Sequence, residues 1–367
     1  MKIKENIVFL DLQKDRQFCY YHQAHTIVGL CNNICMIFEK NVLTHIQYPV
    51  GQGGLHLGII DSIAYIYDCG GNSKANWDSI FDEIKKHLYN CDELHIFISH
   101  LHTDHCNKLF ELIKQISSIS SLKIKLYIPA LSEIEKIMFF CEALLQKDLS
   151  ENFINYYMRF LLSDAKIEFF PNVAIVPVNT PEKRQIKDIL LYFFTTNIIF
   201  KQKVQFENAL KKLGISTQEI IEKMQRGNKD IIEQIKNVFK TTFGTKHITN
   251  KIMLILYCGY LRFPCCHFSN SWLHTGDVQL KKNTDFYNFM NHLAELLINV
   301  DFVQIPHHGS KYNINYAFPF VFKPCAIFYY TSNSFDKRGS RNINGIMKFP
   351  HQKILKVSED PMSKIVI

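Results

Sequence analysis

The stretch Ser99-His100-Leu101-His102-Thr103-Asp104-His105 decides how this chain is interpreted. It follows an apolar run at residues 94–98 that has the composition of a buried strand. Alternate side chains of an extended chain point the same way, so His100 and His102 can face one metal ion. Asp104 and His105 can then turn toward a second position. Imidazole and carboxylate together suit zinc and similar divalent ions, so we favour a metal loop over a loop whose histidines only make hydrogen bonds.

Composition limits the class of protein. The chain has 367 residues, of which 47% are hydrophobic and 21% charged, as in a globular protein with a substantial core. No apolar run approaches the roughly 20 residues of a membrane span, and the N-terminus does not open a signal peptide. The 11 cysteines are an odd number without a spaced framework, which indicates reduced thiols. We therefore expect a cytoplasmic protein without a membrane span.

Most of the net charge of +8 lies in one segment. Residues 182–246 contain 13 Lys and Arg against 7 Asp and Glu. Lysine-rich amphipathic patterns at 205–213, 217–225 and 229–240 predict helices, and we interpret residues 183–246 as an inserted basic helical lid or subdomain. Such a segment can bind nucleic acid or another polyanion, although a solvated helical face is the plainer alternative.

The remaining chain alternates strands and helices. Strands are predicted at 64–67, 93–98 and 123–128, with amphipathic helices at 77–88 and 109–116. After the basic segment the pattern resumes with strands at 251–257 and 301–305 and helices at 285–298 and 314–322. This order predicts an α/β layered fold with ligands at strand ends.

Four separate segments place polar side chains directly after an apolar strand. Besides the histidine loop these are Asp68, Asp277 in Thr275-Gly276-Asp277, and the run His307-His308-Gly309-Ser310. Their common position implies a single cleft along one edge of the sheets. The glycine turn at residues 50–54 is either a hairpin turn or a place where the backbone closely approaches a ligand.

These motifs resemble the metallo-β-lactamase fold superfamily. Residues 100–105 match its H-x-H-x-D-H signature in every fixed position, and the resemblance spans roughly residues 45–360. It implies an αββα four-layer sandwich, here a single domain over residues 1–367 with the helical insertion at 183–246. The glycine turn, Thr-Gly-Asp and His-His-Gly-Ser are most similar to the soluble hydrolase module of DNA-uptake competence channel proteins, and they also resemble choline-phosphate esterases.

The resemblance also implies a site. It places His100 and His102 on a first metal ion, Asp104 and His105 on a second, and Asp277 between the two. We favour His308 as a further ligand of the second ion and His307 as a catalytic or substrate contact, and the reverse order stays open. Asp68 would orient a metal-bound histidine, and Asp104 would orient the attacking hydroxide. The implied cofactor is one or two Zn²⁺ ions, with Mn²⁺ or Fe²⁺ as alternatives, and the candidates for substrate binding are Ser310 and Asn179.

One position departs from the family pattern. Most relatives supply a further histidine for the first metal after the strand that here precedes Asn179-Thr180-Pro181. No histidine occurs between His105 and His247. The candidate substitutes are His247, His267 and His274, of which His274 lies in an apparent strand and is better explained by packing. We therefore expect a weaker first site or an enzyme that works with one metal.

The hypothesis from the sequence is a metal-dependent hydrolase in which metal-bound hydroxide attacks a phosphodiester of nucleic acid or a nucleotide. The first alternative is hydrolysis of a lactone, thioester or other acyl ester. The second is a binding or regulatory protein on a partly decayed hydrolase scaffold, for which the absent histidine is the reason.

Overall fold

The computed structural model describes residues 43–145, 157–158, 160–161, 170, 172–197, 200–244, 252–260, 270–333 and 353–367. All of them belong to one compact unit. Residues 1–42, together with His247 and His267, lie outside the described residues, so the single domain over 1–367 stays a prediction. Within the described ranges, no helix has both the length and the apolar surface to cross a bilayer.

Fourteen strands of the described chain form two sheets of seven. They are, in chain order, β1 (Leu43–Gln47), β2 (Gly54–Ile60), β3 (Ile63–Gly70), β4 (Glu93–Phe97), β5 (Lys123–Pro129), β6 (Val173–Val178), β7 (Glu182–Ile186), β8 (Ile189–Asn197), β9 (Ile252–Tyr260), β10 (Trp272–His274), β11 (Phe302–Gln304), β12 (Ile327–Thr331), β13 (Ile354–Val357) and β14 (Ile365–Val366). The first sheet has the order β14-β1-β2-β3-β4-β5-β6, and the second has the order β13-β12-β11-β10-β9-β8-β7.

Eight helices accompany these strands in the described part of the chain, apart from short 3-10 turns and the tight turn Pro306–Gly309. They are α1 (Trp77–Leu88), α2 (Thr103–Cys106), α3 (Leu109–Ile116), α4 (Glu133–Leu145), α5 (Phe200–Lys211), α6 (Thr217–Gln225), α7 (Lys229–Phe243) and α8 (Asn283–Leu293). The start of α1 shows how the sequence sets a boundary: the Asn76 side chain accepts a hydrogen bond from the backbone N–H of Ser79. Its buried residues then recur at helical spacing.

The two sheets pack face to face. Tyr65, Phe97 and Tyr127 of the first sheet share one buried cluster with Phe193 and Leu256 of the second. The outer face of the first sheet is covered by α1, α3 and α4, and that of the second by α8. The layers therefore run helix, sheet, sheet, helix, and the predicted four-layer α/β sandwich is confirmed.

Parallel strands align the segments that carry the polar motifs. Strands β3 to β6 run parallel in the first sheet, and β10 to β13 run parallel in the second. The carboxyl ends of parallel neighbours meet at one edge of a sheet. Because Ser99 accepts a backbone hydrogen bond from Leu254 of β9 at 2.7 Å, the histidine loop also touches the second sheet.

The expectation of helices from residue 183 onward is wrong for its first part. Residues 182–197 form β7 and β8, and β8 pairs with β9 along its whole length. The aromatic and β-branched content of β8 favours a strand over a helix. In the described part of this segment, helices lie within 200–243, where α5, α6 and α7 pack on α4 through apolar residues in the same core.

The helix expected at 314–322 is also wrong. Only a 3-10 turn forms there, at Phe318–Val321. The Asn315 side chain accepts a hydrogen bond from the backbone N–H of Ala317 at 2.9 Å, which competes with helical hydrogen bonding, and Pro319 lacks an N–H to donate.

Candidate metal centre

The four polar segments converge where the carboxyl ends of both sheets meet. Asp68 lies near the end of β3, the histidine loop follows β4, Asp277 follows β10, and the turn with His307 and His308 follows β11. The Nε2 atom of His105 lies 3.4 Å from Oδ1 of Asp277. His308 Nε2 lies 3.4 Å from Oδ2 of Asp104 and 3.5 Å from Oδ1 of Asp277. The structure thus gathers the predicted ligands of both sheets into one cluster.

Two sets of donor atoms in this cluster could each hold an ion. His100, His105 and Asp277 form one set, and Asp104, His105 and His308 form the other, with the donor atoms of each set within 4.8 Å of one another. His105 belongs to both sets, so the two positions are neighbours. The second set agrees with the ligands that the resemblance implies. In the first set, His105 stands where the resemblance placed His102.

Hydrogen bonds to oxygen fix which nitrogen of each histidine carries the proton. His105 Nδ1 donates to Oδ2 of Asp68 at 2.7 Å. His100 Nδ1 donates at 3.0 Å to the hydroxyl of Ser99, which itself donates to Asp68. His308 Nδ1 donates at 3.1 Å to the hydroxyl of Thr331, which donates to the carbonyl of Gly53. In each case the Nε2 lone pair is left for a ligand, which is the usual arrangement of metal-binding histidines.

The surroundings of the remaining histidine nitrogens are suited to binding a cation. Among the residues that the structure describes, His105 Nε2 and His308 Nε2 are buried and have no hydrogen-bond partner. His100 Nε2 lies 2.9 Å from Nδ1 of His102, and His102 Nε2 lies 2.8 Å from a carboxylate oxygen of Glu142. Two imidazole lone pairs therefore face each other, an arrangement that a cation between or beside them stabilises. The donor set of imidazole and carboxylate suits zinc.

The charges of the site lead to the same conclusion. Burial opposes ionisation, yet the neighbouring histidines keep the pKa values of Asp104 and Asp277 below the usual range of a carboxyl. Burial likewise opposes protonation of His105 and His308, but the surrounding carboxylates raise both pKa values. Burial, with His105 and His102 nearby, lowers the pKa of His100. The carboxylates therefore favour positive charge at His105 and His308, and a divalent ion bound at their Nε2 atoms would take the place of the protons there.

Left-handed backbone positions aim the side chains. Asp68 has φ of 60°, and His307 and His308 have φ of 50° and 53°. Such conformations cost a non-glycine residue about 1–3 kcal/mol and persist where the surrounding structure holds them. The turn directs His308 toward both carboxylates, whereas the side chain of His307 is 30% exposed and its Nδ1 lies 3.4 Å from Oδ2 of Asp277.

Comparison with known proteins gives only distant likenesses. No protein-family model matches the sequence, and no curated protein is similar to it. Among solved structures, the metallo-β-lactamase fold protein YhfI from Bacillus subtilis is 10% identical, with 89% of this chain and 98% of that chain covered and a TM-score of 0.43. The long form of RNase Z from yeast is 10% identical, with 79% and 37% covered and a TM-score of 0.40. These likenesses carry no inference about activity.

The architecture decides the fold. Two stacked seven-stranded sheets between helices bring the H-x-H-x-D-H loop after β4 together with ligands that follow β10 and β11. The chain has the metallo-β-lactamase fold. Two glycines in this fold allow the histidine loop to pack closely: a Cβ at Gly53 or Gly70 would lie 2.2 or 2.5 Å from the carbonyl oxygen of Asp104. The glycine turn thus approaches the backbone of the metal loop.

Three residues of the metallo-β-lactamase-fold site were not found from the sequence. Thr331 orients His308, and the Oε1 atom of Gln304 accepts from the backbone N–H groups of Thr275 and Gly276. Both end or nearly end a strand, a signal that could have identified them. Glu142 lies among apolar residues of helix α4, and an acidic residue inside that apolar run is the signal that the sequence offers.

Some predicted residues lie apart from the ligands. Asn179 is exposed beyond the end of β6, and Ser310 is partly buried at the end of the turn. The hydrogen bonds and ion pairs described for this part of the chain join neither side chain to the cluster, so their role in substrate binding stays a prediction. His274 is buried beside Tyr65 and Tyr329, as expected of a packed histidine.

Proposed function

We propose that the chain is a metal-dependent hydrolase that acts on phosphodiesters of nucleic acid or nucleotides. The observation that carries the proposal is the pair of neighbouring ion positions, in which buried Nε2 atoms face two carboxylates. Divalent ions at such positions supply a Lewis acid and lower the pKa of bound water to about 7.

Asp104 is the residue best placed to handle the attacking water. Its side chain is 30% exposed, more than that of Asp277 at 6%, and its Oδ2 lies within 3.5 Å of the Gln52 amide. Its pKa stays below the usual carboxyl range, because its histidine neighbours outweigh the effect of burial. An ionised carboxylate at the open side of the cluster can accept a hydrogen bond from water and hold it in line with the substrate.

His307 is the best candidate for a contact with the leaving group. Burial lowers its pKa, so the neutral imidazole carries one N–H. His307 Nδ1 lies 3.4 Å from Oδ2 of Asp277, and its side chain is 30% exposed at the open side of the cluster. In the tautomer whose proton is on Nε2, the ring would donate a hydrogen bond to the leaving oxygen and stabilise the charge that develops there.

Two features support a phosphodiester over an acyl ester. The helical segment from α5 to α7 presents exposed basic side chains, among them Lys201, Lys212, Arg226, Lys229 and Lys240. Other lysines in it, such as Lys223 and Lys236, pair with glutamates of their own helices. The motif resemblance to the competence channel hydrolases adds the second support.

A substrate panel tests this proposal. Single-stranded DNA, RNA, bis(p-nitrophenyl) phosphate, p-nitrophenyl acetate and a γ-lactone would each be incubated with the protein and added Zn²⁺ or Mn²⁺. We expect turnover of the phosphodiesters and a loss of about 100-fold or more in Asp104→Asn and His102→Ala. Hydrolysis of the acyl substrates alone would contradict the substrate class. Phosphodiester turnover unchanged in both variants would contradict the assigned site.

A further inference from the structure

A buried carboxylate from the helical layer contacts the metal loop. Oε1 of Glu142, on α4, lies 2.8 Å from Nε2 of His102, 40 residues earlier in the chain. The two side chains are 5% and 7% exposed. A carboxylate buried to this degree persists only with a partner that satisfies it, and here the partner belongs to the H-x-H-x-D-H loop.

The direction of this hydrogen bond determines the state of His102. An ionised carboxylate only accepts hydrogen bonds, so Nε2 of His102 carries the proton and donates it to Glu142. The lone pair then belongs to Nδ1, which faces His100 Nε2 at 2.9 Å. Glu142 lies behind the imidazole ring and His100 lies in front of it, so Glu142 acts on the ion through His102.

We propose that Glu142 is a positioning residue of the metal centre, which fixes the tautomer and ring orientation of His102 so that Nδ1 faces the first ion. The inference rests on the metal site of the proposed function but not on its substrate. A site that lacks the histidine expected at Asn179 depends more strongly on the orientation of each remaining ligand. Partners of this kind change metal affinity by about 10- to 100-fold when they are removed.

The inserted helices α5, α6 and α7 pack against α4, which carries Glu142. Ile137 and Phe140 of α4 share one apolar core with Phe206, Ile235 and Phe239 of the inserted helices. Since α4 lies against these helices, its position and that of Glu142 depend on them. The basic segment is therefore linked to the metal loop through α4, whatever its surface binds.

The chain offers a matched control on the same helix. Glu135 is also a buried carboxylate of α4, and it accepts hydrogen bonds from the backbone N–H and the hydroxyl of Ser132 at 2.7 Å. Its contact is with the start of the helix. Replacing Glu135 removes a buried carboxylate from α4 without removing the partner of His102.

Metal binding measured without substrate tests the inference. Protein stripped of metal would be titrated with Co²⁺ against a competing chelator, with the visible absorption of the bound ion recorded. We expect Glu142→Ala to weaken one bound ion about 10- to 100-fold and to change its spectrum. Glu142→Gln, whose amide oxygen can still accept from His102, should restore most of the affinity. Glu135→Ala should match the wild type in affinity and spectrum.

A double-mutant cycle separates positioning from a general loss of stability. If Glu142 acts through His102, then adding Glu142→Ala to His102→Ala should weaken binding no further. Additive losses, an unchanged affinity in Glu142→Ala, or an equal loss in Glu135→Ala would each overturn the inference. A protein that hydrolyses no substrate of the panel but shows the expected binding pattern would contradict the proposed function alone.

Discussion

Acid should destabilise this protein through histidines buried between its sheets. His45 on β1 is fully buried, with Nδ1 3.1 Å from Nε2 of His56 and 3.1 Å from the hydroxyl of Tyr65. Burial lowers the pKa of His45 to about 3. Burial also lowers the pKa values of His56 and His274, well below 6.5. The folded protein therefore keeps these imidazoles neutral where the unfolded chain binds protons.

The sign and size of the effect follow from this difference. Above about pH 6.5 both states are neutral at His45, and the free energy of unfolding is unaffected. Between pH 6.5 and the folded-state value of about 3, the unfolded state binds one more proton at this group. Stability then falls by about 1.4 kcal/mol per pH unit, or about 2 kcal/mol by pH 5, for His45 alone.

Urea unfolding at several pH values between 7.5 and 5, with metal removed, measures this dependence. We expect His45→Gln to reduce the slope of unfolding free energy against pH by about 1.4 kcal/mol per unit below pH 6.5. The control is Trp272→Phe, which alters a ring stacked 5.2 Å from His45 without removing a titratable group. It should lower stability equally at every pH. Identical slopes in His45→Gln and wild type would refute the reasoning.

Three further sets of substitutions test the metal ligands, the packing of the glycine turn and the role of the helical segment. His308→Ala should reduce bound metal by about one ion per chain, because the Nε2 atom of His308 faces the carboxylates of Asp104 and Asp277. His307→Ala should keep the metal but lose turnover. Equal metal loss in the two variants would contradict this assignment. Gly53→Ala should lower the free energy of unfolding by about 1–3 kcal/mol in chemical denaturation, because Gly53 has φ of 127° and its Cβ would lie 2.2 Å from the carbonyl oxygen of Asp104. An unchanged denaturation midpoint would contradict the close packing. Four exposed lysines of the helical segment would be replaced with glutamine: Lys201, Lys212, Lys229 and Lys240. This change should reduce the slope of nucleic-acid hydrolysis against salt concentration. A slope equal to that of the wild type would exclude these lysines from contact with nucleic acid.

The position of the candidate ligands could be predicted from the sequence because each follows an apolar run. His100, Asp277 and His308 all come directly after strands, and parallel strands bring such positions to one edge whatever the details of packing. A strand could not be predicted where its composition matches that of the neighbouring helices. Strand β7 begins with three consecutive charged residues and lies at the sheet edge, so its composition matches that of the helices that follow.

The contacts that orient the ligands could not be predicted. Glu142 and Thr331 reach the histidines from elements 40 and 23 residues away, and no local pattern marks which distant side chain will meet a given ring. The left-handed φ angles of His307 and His308 also could not be predicted from the sequence, because they come from the turn that the packed sheets impose. Strand periodicity locates a site, and tertiary packing decides its tautomers and angles.

The central claim is that the cluster around His105 holds divalent metal. Elemental analysis of protein purified without chelator, before and after incubation with Zn²⁺, Mn²⁺ or Fe²⁺, tests it most directly. The structure predicts one or two tightly held ions per chain, with at least one lost in Asp277→Ala, which removes the carboxylate that faces His105 and His308. Near-zero metal in the folded wild-type protein after each incubation would contradict the claim.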